Sequence, residues 1–324
     1  MRRAGPACRH SMSLPGKRLR LKKWIAGPNR LNMKKLGFAM ALRAATCLVL
    51  LAAAAPVMAS DVERARALFE RAEYRPAVEL LKSSPEANSP DAQFVAGRAW
   101  YQLGEYRKAV EALEKTAQAR PGDAAVWLWL GRAWGRRAET SNMLVAPSYA
   151  SKSRQCFEKS VALNPKLGEA LNDLFTYYLE APGFLGGGMD KAQALLEKIR
   201  AVDPAEAEYA LAQIAEKRKQ YESAEAHLRR AVELAPKQAG RLIDLARFFA
   251  RRGRIQEADR TLDAAAEVAP GSPKVLFARA ELYVNTRRHP QEARRLLEQY
   301  LQSPLTPDDP PREEARKLLG RLGG

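Results

Sequence analysis

An all-α fold, a stack of about seven helix hairpins with a further helix at the C-terminal end, is what this 324-residue sequence predicts. Three observations carry that expectation. First, a small residue is followed four positions later by a large apolar one and twelve positions later by proline. Five windows keep this beat: Ala109/Leu113/Pro121, Ser153/Phe157/Pro165, Ala192/Leu196/Pro204, Ala224/Leu228/Pro236 and Ala258/Leu262/Pro270. Second, successive prolines of the set stand 44, 39, 32 and 34 residues apart, a unit near 34 residues carrying two insertions. Third, apolar residues within units recur at helical spacing, as in Leu242, Leu245, Ala246 and Phe249, the buried stripe of an amphipathic helix. A period of this length means supersecondary units stacked in a row, not one closed core.

The chain opens with a basic leader. Residues 1–32 hold Pro6, Pro15 and Pro28 and show no apolar period, which fits a disordered extension or a misassigned start. Residues 33–59 read as an export signal: Met33-Lys34-Lys35 and Arg43 precede an apolar run that closes on Val57-Met58-Ala59, with cleavage expected after Ala59. A retained leader is the alternative, since Leu36 to Ala59 spans a membrane if Arg43 is tolerated. The leader also explains the formal charge of +17: residues 1–59 hold twelve Lys and Arg and no acid, leaving 42 basic against 37 acidic residues beyond them. That remainder is an ordinary mixed surface without an arginine-rich helix, so nucleic acid is not an expected partner.

Residues 60–307 are the stack. In the second unit, Gly97 and Trp100 precede Gly104-Glu105-Tyr106, Ala109, Leu113 and Pro121. Trp127, Leu130, Gly131 and Trp134 fit the first helix of the third unit, Leu242 to Phe249 that of the sixth, and Ala280 with Tyr283 the seventh. Ala72, Tyr74, Ala77 and Leu81 mark the first unit. This joint pattern resembles the tetratricopeptide repeat over roughly residues 61 to 304. The resemblance implies a right-handed α-solenoid of about seven hairpins. The physics agrees: small residues let antiparallel helices approach to about 8–10 Å while large ones fill the space beside them. Residues 308–324 form a capping helix and tail. Asp308-Asp309-Pro310-Pro311 is the start signal, Glu313 and Glu314 follow in the first turn, and the mixed surface suits a solvating cap on an open stack.

No catalytic set is visible. His227 and His289 lie in different units without metal-ligand spacing, and the segment Pro182 to Lys191 lacks the ending of a phosphate loop. Cys156 is the one cysteine beyond the leader and reads as a structural thiol beside Phe157. No cofactor, metal or enzymatic activity is expected.

Two features point to binding. The insertions span roughly 137–148, with Met143, Leu144 and Val145, and 181–189, with Phe184, Leu185 and three glycines. Both fall between the two helices of consecutive units, so they project from one edge as neighbours, and per-repeat insertions on one face often bind. The competing reading is that each folds down onto its own hairpin, its glycines supplying positive φ and Asp190 capping the next helix. The second feature comes from the resemblance, which places the groove on first-helix positions. These are Phe94, Arg98 and Tyr101 in the second unit, Leu128 and Arg132 in the third, and Asn172 and Thr176 in the fourth. Tyr209 and Gln213 follow in the fifth, Ile243 and Arg247 in the sixth. Aromatic rings interleaved with Arg and amide groups suit an extended peptide or protein surface. The expected function is a non-catalytic protein- or peptide-binding scaffold exported to the bacterial envelope, in the periplasm. A membrane-tethered assembly factor or an accessory subunit of an envelope enzyme are the alternatives.

Overall fold

In a computed structural model that describes residues 59–323, fifteen α-helices and one short 3-10 turn account for the regular structure, and no strand occurs among the described residues. The leader assignments, 1–32 and the signal up to Met58, lie outside those residues. Helix α1 (Asp61–Glu70) starts directly after them, with the Ser60 hydroxyl accepting from Glu63 N at 3.3 Å as its N-cap.

The helices pair as seven hairpins and a cap. Hairpin 1 joins α1 to α2 (Tyr74–Ser83), hairpin 2 joins α3 (Pro90–Gln102) to α4 (Tyr106–Ala119), and hairpin 3 joins α5 (Ala124–Thr140) to α6 (Ala146–Leu163). Hairpin 4 is α7 (Gly168–Glu180) with α8 (Met189–Val202), and hairpin 5 is α9 (Pro204–Lys217) with α10 (Tyr221–Leu234). Hairpin 6 is α11 (Ala239–Arg251) with α12 (Ile255–Val268), hairpin 7 is α13 (Pro273–Thr286) with α14 (Pro290–Gln302), and α15 (Arg312–Leu322) follows.

The beat in the sequence is the contact inside each hairpin. Ala109, Ala192, Ala224 and Ala258 are fully buried, as is Ser153, and the large residues four places on are buried with them. First helices answer with glycine where the large residue arrives: a Cβ on Gly97 would stand 2.6 Å from Leu113, and one on Gly131 2.7 Å from the Phe157 ring. A leucine buried as completely as Leu113 contributes roughly 2 kcal/mol. In hairpin 3 the small residues are serines, and each hydroxyl is satisfied on α5: Ser153 donates to Gly131 O at 2.8 Å and Ser160 to Ala124 O at 2.7 Å. Cys156 lies buried in the same contact, and burial pushes its thiol up to about 12.

In hairpins 1, 2, 5, 6 and 7 three residues connect the helices; the middle one is left-handed in the first four of these (Ala72, Gly104, Lys219 and Gly253), whereas in hairpin 7 the first and last are, Arg287 and His289. The next N–H closes the turn on the helix, as Glu105 N does on Trp100 O at 2.9 Å. Between hairpins the prolines stop the second helix as expected, with one difference. Pro204 opens α9 directly, and Asp203 serves both as the end of α8 and as the N-cap of α9, accepting from Ala205 N at 2.9 Å.

Both insertions differ from the expectation. The first is mostly helix: nothing between Arg136 and Thr140 breaks α5, and Pro147 sits in the tolerant first turn of α6, so only residues 141–145 leave the helices. Hairpin 3 therefore stands taller than its neighbours. The second insertion is a 3-10 turn, Gly183–Leu185, followed by Gly186 and Gly188 at positive φ. Gly188, not Asp190, is the N-cap of α8.

The stack is not open. Helix α15 buries Ala315 and Leu318 against Phe277, Leu297 and Tyr300, and Ala72 of hairpin 1 packs on the same cluster. Arg312 ties this seam. Its guanidinium donates to Leu301 O at 3.4 Å and Ser303 O at 3.2 Å behind it, and to Ala72 O at 3.2 Å across the seam. Gln102 reaches Pro307 O at 3.5 Å nearby, and a cavity of about 1160 Å³ runs along the junction. The expected solvating cap is thus the piece that joins the last hairpin to the first.

Candidate functional site: an inner face and a raised edge

First helices touch one another from hairpin to hairpin (α1 with α3, α3 with α5, α5 with α7, α11 with α13). No two second helices make comparable contact among the described residues, so the stack curves with its first helices inside. That inner face carries a ladder of ion pairs between neighbouring hairpins. Arg132 on α5 grips Asp173 at 2.5 Å and Glu169 at 2.8 Å on α7. Lys217 on α9 meets Glu180 at 2.6 Å, and Arg251 on α11 meets Glu216 at 2.7 Å. Arg241 pairs with Glu206, and Arg247 reaches Glu281 on α13 at 3.0 Å. Burial weighs most on Arg132 and would lower its pKa, yet the two carboxylates overcome it and hold the guanidinium above its ordinary value. Asp244 lies inside the same face. Burial pushes its carboxyl up to about 6, against the opposing pull of Arg241 and Arg247.

Aromatic rings fill the N-terminal part of the ladder. Tyr101 packs edge-on against Tyr106 at 5.7 Å and Trp129 at 5.5 Å, and Trp129 lies under both Arg98 and Arg132, each 4.9 Å from its centre. Phe94 is half-buried beside Arg98. Asn172, Tyr209 and Gln213 are half-buried on the same face, while Thr176 and Arg247 are exposed. Tyr209 sits beneath Arg241, 5.6 Å from its guanidinium, and burial pushes its hydroxyl up to about 12. Two expected groove residues are corrected: Leu128 and Ile243 are 2% and 4% exposed and belong to the hydrophobic core. Their neighbours Trp129 and Asp244 stand on the face instead. Counting back three residues from Arg132 and Arg247 finds both, because i and i−3 share a helix face.

The edge loops meet this face. Gly186 lies against Arg154 of α6, where a Cβ would come within 2.7 Å of Nε, and Ala138 and Glu139 of the first insertion line one cavity with Pro182 and Leu185 of the second. The second loop is anchored by its backbone: Tyr177 donates to Leu185 O at 2.9 Å, and Gly188 N to Tyr178 O at 2.8 Å. Its side chain Phe184 nevertheless points to solvent at 82% exposure, as do Met143 at 90% and Leu144 at 91%, with Val145 beside them at 37%. Leu185 is half-buried and lines a cavity of about 510 Å³ with Tyr101, Arg132, Asp173, Thr176 and Tyr177. Gly135, Ser153 and Phe157 line that cavity too. A smaller one of about 350 Å³ lies between hairpins 6 and 7, with Arg247, Arg251, Glu281 and Asn285 above an alanine and leucine floor. His227 is bound to Glu208 at 2.7 Å, and no group of three His, Cys, Asp or Glu poised for a metal occurs among the described residues.

Two family models described as tetratricopeptide repeat match the chain. One covers residues 59–124, 94–137 and 186–239, the other residues 215–282, and together they take in more than half of the sequence. The stretch between their matches, 138–185, holds the tip and second helix of hairpin 3, α7 and the start of the second loop. No curated protein matches the chain. Among solved structures, a tetratricopeptide repeat protein from Parabacteroides merdae aligns at 13% identity over 82% of this chain and 98% of its own, with a TM-score of 0.52. A thermophilic repeat protein of Thermus thermophilus, TTC0263, aligns at 20% identity over 58% and 97%, TM-score 0.49. PilF of Pseudomonas aeruginosa aligns at 15% identity over 72% and 98%, TM-score 0.40. At 13% identity the likeness to the Parabacteroides merdae protein is one of fold.

Proposed function

We propose a function from one premise: this chain is a member of the tetratricopeptide repeat family. It is a repeat scaffold of the kind that mediates protein interactions. The binding site in our reading is the inner face of hairpins 2 to 4 together with the edge above it. One observation carries this choice: the cavity beside Tyr101, Arg132 and Thr176 is lined also by Glu139, Pro182 and Leu185 of the two insertions on which Met143, Leu144 and Phe184 stand exposed. Large apolar side chains held in solvent at one place are the usual mark of a contact surface. A partner lying along the inner face anchors between the half-buried rings and covers the loop tips with its flank.

The place of action in this reading is the bacterial envelope, reached by export. The leader's charge pattern and the small residues ending at Ala59 support it, as does a first helix whose N-cap is Ser60, the residue that cleavage leaves first. A retained leader makes the same scaffold a membrane-tethered assembly factor. Two measurements test the proposal. Terminal sequencing of the accumulated protein should begin at or near Ser60; a chain starting at Met1 or Met33 favours the tether. Affinity capture from envelope extracts should recover a partner with wild type and lose it with Met143→Ser/Leu144→Ser/Phe184→Ser. A variant that captures the same partner equally well contradicts the assignment of the edge.

A further inference from the structure

The turns of hairpins 5, 6 and 7 gather positive charge at one edge of the stack. Residues 217–220, 251–254 and 286–289 hold eight Lys and Arg and no acid. Four of these cations are held by carboxylates: Lys217 by Glu180, Arg251 by Glu216, Arg254 by Glu225 and Glu257, and Arg288 by Asp259. The other four, Arg218, Lys219, Arg252 and Arg287, are exposed and form no ion pair among the described residues. Arg218 donates only to Gln193 at 3.3 Å, and Arg252 lies over the Tyr221 ring at 3.6 Å. Against them stands Glu222, exposed in the first turn of α10, while the matching acids Glu257 and Glu292 are taken by Arg254 and Arg295. The backbone argues that this charge is not incidental. Four described residues other than glycine have left-handed φ, and three of them, Lys219 at 59°, Arg287 at 54° and His289 at 48°, are on these turns. Gly253 shows the unstrained solution in hairpin 6. Ala72, the fourth, has a packing reason, since it joins the cores of hairpin 1 and of α15. Lys219 and Arg287 are exposed, so packing does not account for them. Nor does the helix dipole require Lys219, because Lys217 already stands in the last turn of α9. Strain kept at an exposed cation points to a use for the cation.

We infer that this edge docks on an anionic lipid bilayer, with Arg218, Lys219, Arg252 and Arg287 meeting lipid phosphates. The free cations sit at the tips of three consecutive turns, and neighbouring helices stand about 10 Å apart, so they form a shallow row rather than a groove. A bilayer presents a plane of phosphates that such a row meets all at once, and each cation near that surface adds to the attraction. A nucleic-acid strand needs a groove to follow and free rings on which to stack its bases. The two rings at these turns are already covered, Tyr221 by Arg252 and Tyr283 by His289 at 5.0 Å. The leader reading brings the chain to a membrane whether the leader is cleaved or kept, and that is the one point shared with the proposed function.

Vesicle sedimentation tests it with protein beginning at Ser60, which keeps the compact unit of hairpins and omits the twelve cations of the leader. Only purified protein and lipid are present, so the outcome does not depend on what the inner face of hairpins 2 to 4 holds. Wild type should partition onto phosphatidylcholine vesicles containing phosphatidylglycerol about tenfold better than onto phosphatidylcholine alone, and added salt should remove the difference. Lys219→Gly/Arg287→Gly separates binding from folding. It relieves both left-handed positions, so the urea midpoint should rise while partition onto the anionic vesicles falls about tenfold. Lys159→Gln/Lys166→Gln removes the same charge from exposed positions outside these turns and should change partition by less than about twofold. An equal loss in that control reduces the effect to net charge and overturns the inference, as does indifference to phosphatidylglycerol. A midpoint that falls in the glycine variant shows that the two side chains serve the fold, and it overturns the inference as well. Tighter binding to a single-stranded oligonucleotide or to polyglutamate at the same salt gives the edge to another partner and overturns the lipid assignment.

Discussion

Hairpins 6 and 7 pass from first to second helix in three residues, whereas hairpins 3 and 4 need five and eight. The interiors of the two regions obey one rule: a small residue on the second helix, a large one a turn later, and a close approach of the first helix between them. Ala258 with Leu262 and Ser153 with Phe157 are equally buried solutions of it. The edges differ because a turn between antiparallel helices carries none of the stacking contacts. Extra residues there lengthen α5 and α6 or fold into the Gly183–Leu185 turn without disturbing the beat below. Repeat proteins can therefore build a site at one edge while the stack stays regular.

The largest expected effect separates two arginines of equal exposure on the inner face. Arg132→Met leaves Asp173 and Glu169 without their partner and should cost roughly 2–3 kcal/mol in urea melts. Arg98→Met breaks no hydrogen bond and loses only the cation–π contacts with Phe69 and Trp129, so it should cost about 1 kcal/mol or less. Equal losses would erase the distinction between an arginine that bridges hairpins and one that rings hold.

Glycines sharpen the comparison of turns. A Cβ on Gly187 would lie 1.8 Å from Ala181 O, so Gly187→Ala must move backbone and should cost about 2 kcal/mol. Gly253 has φ +73° with nothing within 4 Å, so Gly253→Ala carries only the left-handed penalty of about 1 kcal/mol. The converse holds at Lys219, φ 59°, where Lys219→Gly should stabilise the protein by about 0.5–1 kcal/mol.

A smaller effect depends on pH. Asp244 titrates near 6 in the folded chain, above its ordinary value of 3.8, so protonation favours the folded state. The stability it supplies is full below about pH 4 and is lost as pH rises through about 6. Asp244→Asn should flatten this part of the stability profile, and an unchanged slope would mean that Asp244 titrates normally. The smallest effect belongs to the edge: Met143→Ser/Leu144→Ser/Phe184→Ser should shift the urea midpoint by less than about 0.5 kcal/mol, because those side chains touch little.

The hairpins were legible in the sequence because the beat is itself the packing contact, and Ala109, Leu113 and Pro121 each do locally what their chemistry dictates. Closure of the stack was not, since it joins residues 240 positions apart through Arg312 and depends on curvature summed over every hairpin. The break in the repeat period marks where the first insertion lies but not its form: a stretch rich in helix formers up to Thr140 continues the helix it follows. On the inner face the repeat register points to Leu128 and Ile243, which are buried, where Trp129 and Asp244 stand. One residue is 100° of helix, enough to exchange a core residue for a surface one.

The central claim is that the raised edge and inner face of hairpins 2 to 4 hold the partner. A photo-crosslinking residue installed in the native cells at Leu144, at Phe184, and at the exposed apolar controls Leu234 and Val268 tests it directly. The first two positions should trap one discrete protein, and that product should fade with Thr176→Trp, which obstructs the cavity beside Tyr101 and Arg132. Trapping of the same protein at Leu234 or Val268, or none at Leu144 and Phe184, would contradict it.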